Sequence, residues 1–288
     1  MLIGCAVLLI LTGRHNPQGL KDDDKIDHGF DGIVELNKPL PRWWVWLFWL
    51  TIVFAIGYLA LYPGMGTYEG YYGWSSEKQL QEQVDQAQAQ YGPIFTAYAK
   101  QPVEQLAKDP AAMEIAQRLF ANHCATCHGS DARGMKGFPN LIEGTWIYGG
   151  SPEDIKQTIM NGRKAMMPSQ MSALQSERSL EQVIQFLLHK NGRKADVAKA
   201  QEGEKLFKRI CAACHGPDAK GNKLLGAPNL TDNTWTHGGT ALGIEMSIRN
   251  GRQGEMPPHK DILGAEKAHL MTAYIYGISN KKESRPSE

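Results

Sequence analysis

Two short stretches decide how this chain is interpreted: Cys124-Ala125-Thr126-Cys127-His128-Gly129 and Cys211-Ala212-Ala213-Cys214-His215-Gly216. In each, two cysteines stand three positions apart and a histidine follows at once. Such cysteines can form thioethers to the two vinyl groups of a porphyrin, and the histidine can bind the iron from the proximal side. We therefore predict two covalently bound heme c groups. The attachment sites are Cys124, Cys127, Cys211 and Cys214, and the proximal iron ligands are His128 and His215.

Zinc binding and dithiol redox chemistry are the alternative uses of these cysteines. A zinc site would combine two Cys-x-x-Cys pairs, but each pair here lies in its own repeat with its own histidine. A redox dithiol is typical of a thioredoxin-like strand and helix, without a histidine directly after the second cysteine. The motif favours heme over both. The fifth cysteine, Cys5, lies in an apolar segment and is interpreted as a small apolar residue.

Both motifs belong to a longer repeat, which predicts two homologous domains. The same strings recur in the same order, 87 residues apart at the cysteines and 89 residues apart downstream. The recurring pairs are Pro139-Asn140-Leu141 with Pro228-Asn229-Leu230, Thr145-Trp146 with Thr234-Trp235, and Asn161-Gly162-Arg163 with Asn250-Gly251-Arg252. We place the two domains at residues 111–190 and 191–288.

Each repeat also has a methionine before a proline, Met167-Pro168 and Met256-Pro257. A thioether sulfur on the distal face of a heme closes the iron to other ligands and raises its potential. Met166 is a rival in the first repeat, but only Met167 is in register with Met256. We therefore predict Met167 and Met256, on loops, as the distal axial ligands.

Other polar residues are weaker candidates for roles at the hemes. Arg163 and Arg252 could pair with heme propionates or could be ordinary surface charges. Trp146 and Trp235 are expected to pack in the heme crevices. His28 lies before the apolar helix, on the side away from the heme motifs, and the other four candidate histidines have no counterpart in the other repeat. All five are interpreted as surface or loop residues: His28, His123, His237, His259 and His269.

The periodicity of the repeat region predicts helices and no competing strand. Residues 111–122 and 199–210 are amphipathic and lead into the cysteine motifs, and residues 178–189 and 265–277 form the closing helices. The predicted fold class is therefore mostly α.

Residues 43–62 contain no charged side chain, and 20 helical residues span roughly 30 Å, the thickness of the hydrocarbon core of a bilayer. Tryptophans crowd one end and tyrosines the other, as at membrane interfaces. We predict a transmembrane helix. Basic residues are concentrated before it, so the positive-inside rule places residues 13–42 in the cytoplasm and the heme domains in the periplasm of a bacterial inner membrane.

The segments around this helix are less regular. Residues 1–42 are expected to form an N-terminal apolar segment, too short to span a membrane alone, and a cytoplasmic loop. Residues 63–110 form a polar, Gln-rich periplasmic linker with a solvated or partner-bound helix. Over the 288 residues, 31 basic and 30 acidic side chains nearly balance, which argues against a nucleic-acid-binding protein.

The segment before and through the apolar helix carries a specific resemblance. It contains Asp27-His28-Gly29-Phe30-Asp31-Gly32-Ile33, Pro39-Leu40-Pro41-Arg42-Trp43-Trp44 and Tyr62-Pro63-Gly64. With the two heme motifs behind it, the chain resembles the diheme cytochrome c subunit, subunit III, of cbb3-type cytochrome c oxidases. The resemblance implies a transmembrane helix followed by two tandem class I cytochrome c domains. It also suggests an exchange in which the methionine of each domain ligates the heme of the other, and the spacing in the sequence leaves both assignments open.

The resemblance implies partners as well: a heme–copper catalytic subunit that reduces oxygen, a mono-heme c subunit, and a periplasmic electron donor such as a cytochrome c. The sequence shows no nucleophile–base pair, phosphate loop or open metal site, so we expect electron transfer and no active site. The alternatives are a free-standing, membrane-tethered diheme shuttle, a diheme peroxidase or heme sensor with an open iron, and a purely structural subunit.

Overall fold

The computed structural model describes residues 2–12, 25–30, 33–36 and 41–280. The chain divides into two compact units, Met1–Ala89 and Gln90–Glu288. The predicted loop residues 13–24 lie outside the described residues.

The first unit contains a short helix, a hairpin and the apolar helix. Helix α1 covers Leu2–Thr12, and strands β1 (Lys25–Phe30) and β2 (Ile33–Leu36) pair antiparallel where a loop was expected. Helix α2 covers Arg42–Leu61 and ends before Pro63-Gly64. Of the helices in the described ranges, it alone is long and apolar enough to cross a membrane. Its side chains are mostly exposed, as in Phe54 at 72%, which suits a lipid-facing helix.

A long polar helix, α3 (Ser76–Ala99), follows the apolar helix. It begins where the Ser75 hydroxyl accepts a hydrogen bond from the backbone N–H of Lys78, at 3.1 Å. The helix predicted within the linker is present.

The second unit is built from helices and one small sheet. Its elements are α4 (Val103–Leu106), α5 (Pro110–His123), α6 (Ala125–His128), α7 (Pro152–Asn161), β3 (Arg163–Met167), α8 (Met171–Leu174), α9 (Glu177–Lys190), α10 (Val197–Ile210), α11 (Ala212–His215), α12 (Ala241–Asn250), β4 (Arg252–Met256) and α13 (Lys260–Asn280). Side-chain caps start the longer helices, among them Asp109 at α5 and Asp196 at α10. Helix α13 bends at Gly264, whose φ of 67° is outside the helical region. The predicted mostly helical fold is confirmed.

The helices of this unit pack into two lobes. We define the first lobe as α4 to α7 with α13, and the second lobe as α8 to α12. In the first lobe Phe120 of α5 packs against Tyr274 of α13, with ring centroids 5.5 Å apart. In the second lobe Phe207 of α10 packs against Phe186 of α9 at 5.1 Å. Each lobe has its own buried apolar cluster around the opening helix of one cysteine motif.

These lobes cut across the sequence repeat. Helix α9 closes the first repeat but packs on α10 of the second, and α13 closes the second repeat but packs on α5 and α7 of the first. The second lobe is therefore one continuous stretch of chain, inserted between two parts of the first lobe. The predicted limits at residues 111–190 and 191–288 follow the sequence repeat, whereas each buried core combines helices from both repeats.

The sheet that joins the lobes is formed by one strand from each repeat. Strands β3 and β4 run antiparallel with Ala165 opposite Gly254, which are equivalent repeat positions. Beyond the strands, the Gln170 N–H donates to the Ile248 carbonyl and the His259 N–H donates to the Ile159 carbonyl, both at 2.9 Å. Because each contact is repeated with the repeats exchanged, the two repeats are related by a pseudo-twofold axis through the sheet.

Candidate heme-binding sites

The two cysteine motifs adopt the same local structure. Helix α5 ends at His123, and Cys124 then begins the single turn of α6, in which the His128 N–H donates to the Cys124 carbonyl at 3.0 Å. The second motif repeats this geometry, with the His215 N–H donating to the Cys211 carbonyl at 3.0 Å. A helical turn places residues three and four positions apart on one face, so each turn presents two thiols and an imidazole together.

Both motif histidines are buried and oriented by one backbone carbonyl. His128 and His215 are each 8% exposed. The Nδ1 atom of His128 lies 3.2 Å from the Pro139 carbonyl oxygen, and that of His215 lies 3.1 Å from the Pro228 carbonyl oxygen. Since a carbonyl can only accept, Nδ1 carries the proton and Nε2 keeps its lone pair in the neutral ring. This is the tautomer that binds iron, with the carbonyl holding the ring orientation.

Burial also favours the neutral imidazole and the neutral thiol. It lowers the pKa of His128 and of His215 below the usual value for histidine. It raises the pKa of Cys124 and of Cys211 to about 11. A cysteine pair in which one thiol has so high a pKa is poorly suited to redox exchange, because the reactive form is the thiolate. Within the described ranges, no group of three or more His, Cys, Asp or Glu side chains is arranged to hold a metal ion. The residues present fit a porphyrin attached through thioethers.

The candidate methionines lie at the ends of strands, so their predicted placement on loops was wrong. Met167 ends β3 and packs against the core of the second lobe, against which Cys211 and Trp235 also pack. Met256 ends β4, three residues before His259. His259 lies near enough to His128 for its charge to help lower the pKa of His128, although burial has the larger effect. The rival Met166 points away from both cores and is 73% exposed.

The candidate tryptophans pack against the two cores, and two of the candidate histidines contact backbone carbonyls. Trp146 packs against the core of the first lobe and Trp235 against that of the second. His259 and His269 contact backbone carbonyls, those of Pro257 and Gln101, each at 2.8 Å. The side chain of His28 lies outside the described residues.

Two contributors to the sites were missed by sequence reasoning. Tyr274 of α13 lies close enough to Cys124 for their interaction to raise the pKa of the tyrosine, after the larger effect of burial. Tyr148 stacks on Arg163, with the guanidinium carbon 4.7 Å from the ring centroid. The repeat gave a clue to the contact between Tyr148 and Arg163, because these residues stand at the repeat positions of His237 and Arg252.

Comparison with known proteins identifies the family. The family model for the N-terminal domain of cytochrome oxidase-cbb3, FixP, matches residues 22–69, and that for cytochrome c oxidase, cbb3-type, subunit III, matches residues 111–187 and 198–275. The subunit CcoP of Rubrivivax gelatinosus is 44% identical over 96% of this chain and 91% of its own length. The subunit FixP of Azorhizobium caulinodans is 35% identical over 87% and 91%, and the subunit CcoP of Cereibacter sphaeroides is 33% identical over 87% and 93%.

The resemblance carried by the Pro-Arg-Trp-Trp segment and the heme motifs is thus confirmed over nearly the whole chain. Two tandem cytochrome c domains imply c-type heme, and the oxidase is a membrane complex. The chain therefore belongs to the CcoP/FixP family, the cytochrome c subunit III of cbb3-type cytochrome c oxidases, and its function is electron transfer within that oxidase.

Proposed function

We propose that the chain carries two covalent heme c groups, accepts single electrons from a periplasmic donor such as a cytochrome c, and passes them to the heme–copper catalytic subunit. A mono-heme c subunit is the second proposed partner. The observation that carries the proposal is the pair of buried histidines, each with Nδ1 fixed by a proline carbonyl and two thiols on the same helical turn. A c-type heme supplies a one-electron iron couple when bound there.

His128 and His215 are the proposed proximal ligands, and the two methionines are the proposed distal ligands with their lobes exchanged. Met167 belongs to the first repeat but packs against the core of the second lobe, against which Cys211 also packs. Met256 belongs to the second repeat, yet the backbone just beyond it bonds to α7 of the first lobe. These contacts support Met167 as the partner of His215 and Met256 as the partner of His128.

A histidine and a methionine on each iron would cap it from both sides and would restrict the chain to electron transfer. A histidine and a methionine leave no coordination position for oxygen or peroxide, so only electron transfer through the heme edges remains. Strands β3 and β4 hold the two methionine Cα atoms roughly 14 Å apart, from a rise of about 3.4 Å per residue and the spacing between strands. The paired strands therefore set the separation of the two sites.

The methionine exchange is tested with variants that keep a single heme. Replacing Cys211 and Cys214 with alanine leaves only the heme at Cys124 and Cys127. In that background Met256→His should abolish the sulfur-to-iron charge-transfer band, and Met167→His should leave it intact. The opposite result would show that each methionine serves its own repeat. If the single-heme chains do not accumulate, NMR contacts between each methionine methyl group and the heme substituents of the full chain make the same distinction.

Heme content, partners and orientation need separate measurements. Two hemes per chain should survive acid–acetone extraction, and heme-free protein would overturn the proposal. Purification from membranes should recover the heme–copper subunit and the mono-heme c subunit together with this chain, whereas a free-standing shuttle would be recovered alone.

Alkaline phosphatase fused after residue 280 should be active, because that enzyme folds only outside the cytoplasm, and a fusion between residues 13 and 42 should be inactive.

A further inference from the structure

Arg163 and Arg252 occupy equivalent positions at the starts of β3 and β4, and both are half-buried. The Nε atom of Arg163 donates to the Thr158 hydroxyl of α7, and that of Arg252 donates to the Ser247 hydroxyl of α12, each at 3.0 Å. The tether uses one donor of each guanidinium and fixes its direction. The two Nη groups, with four N–H donors, remain available for another partner.

Neither arginine forms an ion pair with a carboxylate in the part of the chain that the structure describes. Asp154 is near enough for Arg163 to contribute to lowering its pKa, but that carboxylate is bound to Lys223 at 2.6 Å. By contrast, Arg249 of α12 bonds both Glu177 and Glu245. A half-buried guanidinium that is tethered at Nε but has no anion is a binding element for a carboxylate or phosphate.

The strand register places each arginine beside one proposed heme site. Arg163 stands directly opposite Met256, and Arg252 stands directly opposite Met167. Their tethers lead to the same lobes, since Thr158 lies in the first lobe and Ser247 in the second. The anions of a c-type heme are its two propionates.

We propose that Arg163 binds a propionate of the heme in the first lobe and that Arg252 binds a propionate of the heme in the second lobe, so that both are positioning residues. This inference rests on the proposed function, because it needs the two hemes. Bound to its propionate, each guanidinium fixes the edge of the porphyrin relative to the shared sheet. Its positive charge also stabilises the reduced iron, which carries one positive charge less than the oxidised iron.

The test is a redox titration of each heme in the purified complex, with Arg163→Gln and Arg252→Gln compared with the unaltered chain. Each variant should lower the midpoint potential of one heme and leave the other in place. Arg163→Gln should affect the heme whose spectrum changes in Met256→His, and Arg252→Gln the heme that changes in Met167→His. The lysine variants should retain part of the potential, because they keep the charge but lose the planar fork.

Lys164→Gln is the matched control, since Lys164 lies on the same strand, one residue along, and bonds Glu255 at the exposed surface. It should leave both potentials unchanged. If the glutamine variants lose heme, Thr158→Ala and Ser247→Ala, which release the tethers, should produce smaller shifts of the same sign. Unchanged potentials in heme-replete, methionine-ligated arginine variants would overturn the inference while leaving the proposed function intact. Loss of heme from the unaltered chain would overturn both.

Discussion

His237 stands where the first repeat has Tyr148, and it gives the second lobe an imidazole that the first lobe lacks at this position. Burial, Arg252 and Lys136 together lower the pKa of His237 below 6.5, in that order of importance. The unfolded chain therefore binds more protons than the folded chain between the two pKa values. The contribution of His237 to stability is complete above pH 6.5 and is lost as the pH falls through the folded pKa.

We predict that His237→Tyr, which copies the first repeat, makes the unfolding free energy less sensitive to pH below 6.5. The difference from the unaltered chain should be well under about 1 kcal/mol, because the imidazole is partly exposed and solvent screens its charge. Denaturant unfolding at about pH 5 and about pH 8, on either side of the histidine range, measures it. Tyr148→His is the reciprocal control and should increase the loss under the acidic condition. Equal pH sensitivity in all three chains would contradict the assigned environment of His237.

At the scale of single elements, helix α10 crosses α9 so closely that only glycine fits at position 203. A Cβ atom there would overlap the Gln182 carbonyl and contact Phe186. The equivalent position of α5 is Ala116, which is fully buried without such a clash. The two helix crossings thus differ in spacing although their sequences are related.

Gly203→Ala is expected to destabilise the chain by about 1–2 kcal/mol. Overpacking costs roughly 1–3 kcal/mol, and the better helix propensity of alanine returns up to about 1 kcal/mol. Thermal or denaturant unfolding measures the net effect. Gly254→Ala is the control, since no atom lies within 4 Å of the position that its Cβ would occupy, and it should change stability by less than about 0.5 kcal/mol. A stabilised Gly203→Ala chain would show that the helices are further apart.

The register of β3 against β4 can be tested by reversing a surface charge pair. Lys164 and Glu255 are paired directly across the two strands, and the Lys164 Nζ atom lies 3.2 Å from the Glu255 Oε2 atom. Lys164→Glu places two carboxylates face to face and should cost about 0.5 kcal/mol, whereas the double variant Lys164→Glu with Glu255→Lys should restore most of it. The coupling is measured by a double-mutant cycle of unfolding free energies. No coupling would mean that the strands pair in another register.

Local pattern was enough to predict α5, α9, α10 and most of α13, because their amphipathic faces and caps lie within the sequence they describe, but it did not single out α7 and α12. The repeat, rather than local pattern, favoured Met167 over Met166, and the choice of ligand stays a prediction. Local pattern missed β3 and β4, since residues 163–167 and 252–256 show no strand alternation and are paired only by each other, across 89 residues of chain. The exchange of α9 and α13 was invisible for the same reason: either closing helix offers an apolar face that fits either opening helix.

At the scale of the whole molecule, the two lobes depend on each other. In sequence, the second lobe is inserted between two parts of the first. The sheet that joins the two lobes contains one strand from each repeat. If the methionines are exchanged as proposed, each lobe also holds its iron with a strand that leads into the other lobe. The two lobes should therefore unfold as one cooperative unit rather than as two independent cytochrome domains.

Phe207→Ala tests this coupling from within the second lobe. Phe207 is fully buried against Phe186, so its removal should cost about 3–5 kcal/mol and lower the midpoint of thermal unfolding by on the order of 10 °C. With coupled lobes, the methionine–iron band of the first-lobe heme should be lost at the same lowered temperature as that of the second. Phe120→Ala in the first lobe should produce the mirror result. A first-lobe transition that stays at the temperature of the unaltered chain in Phe207→Ala would show two independent domains, and the shared sheet would then be a contact between finished folds rather than part of both.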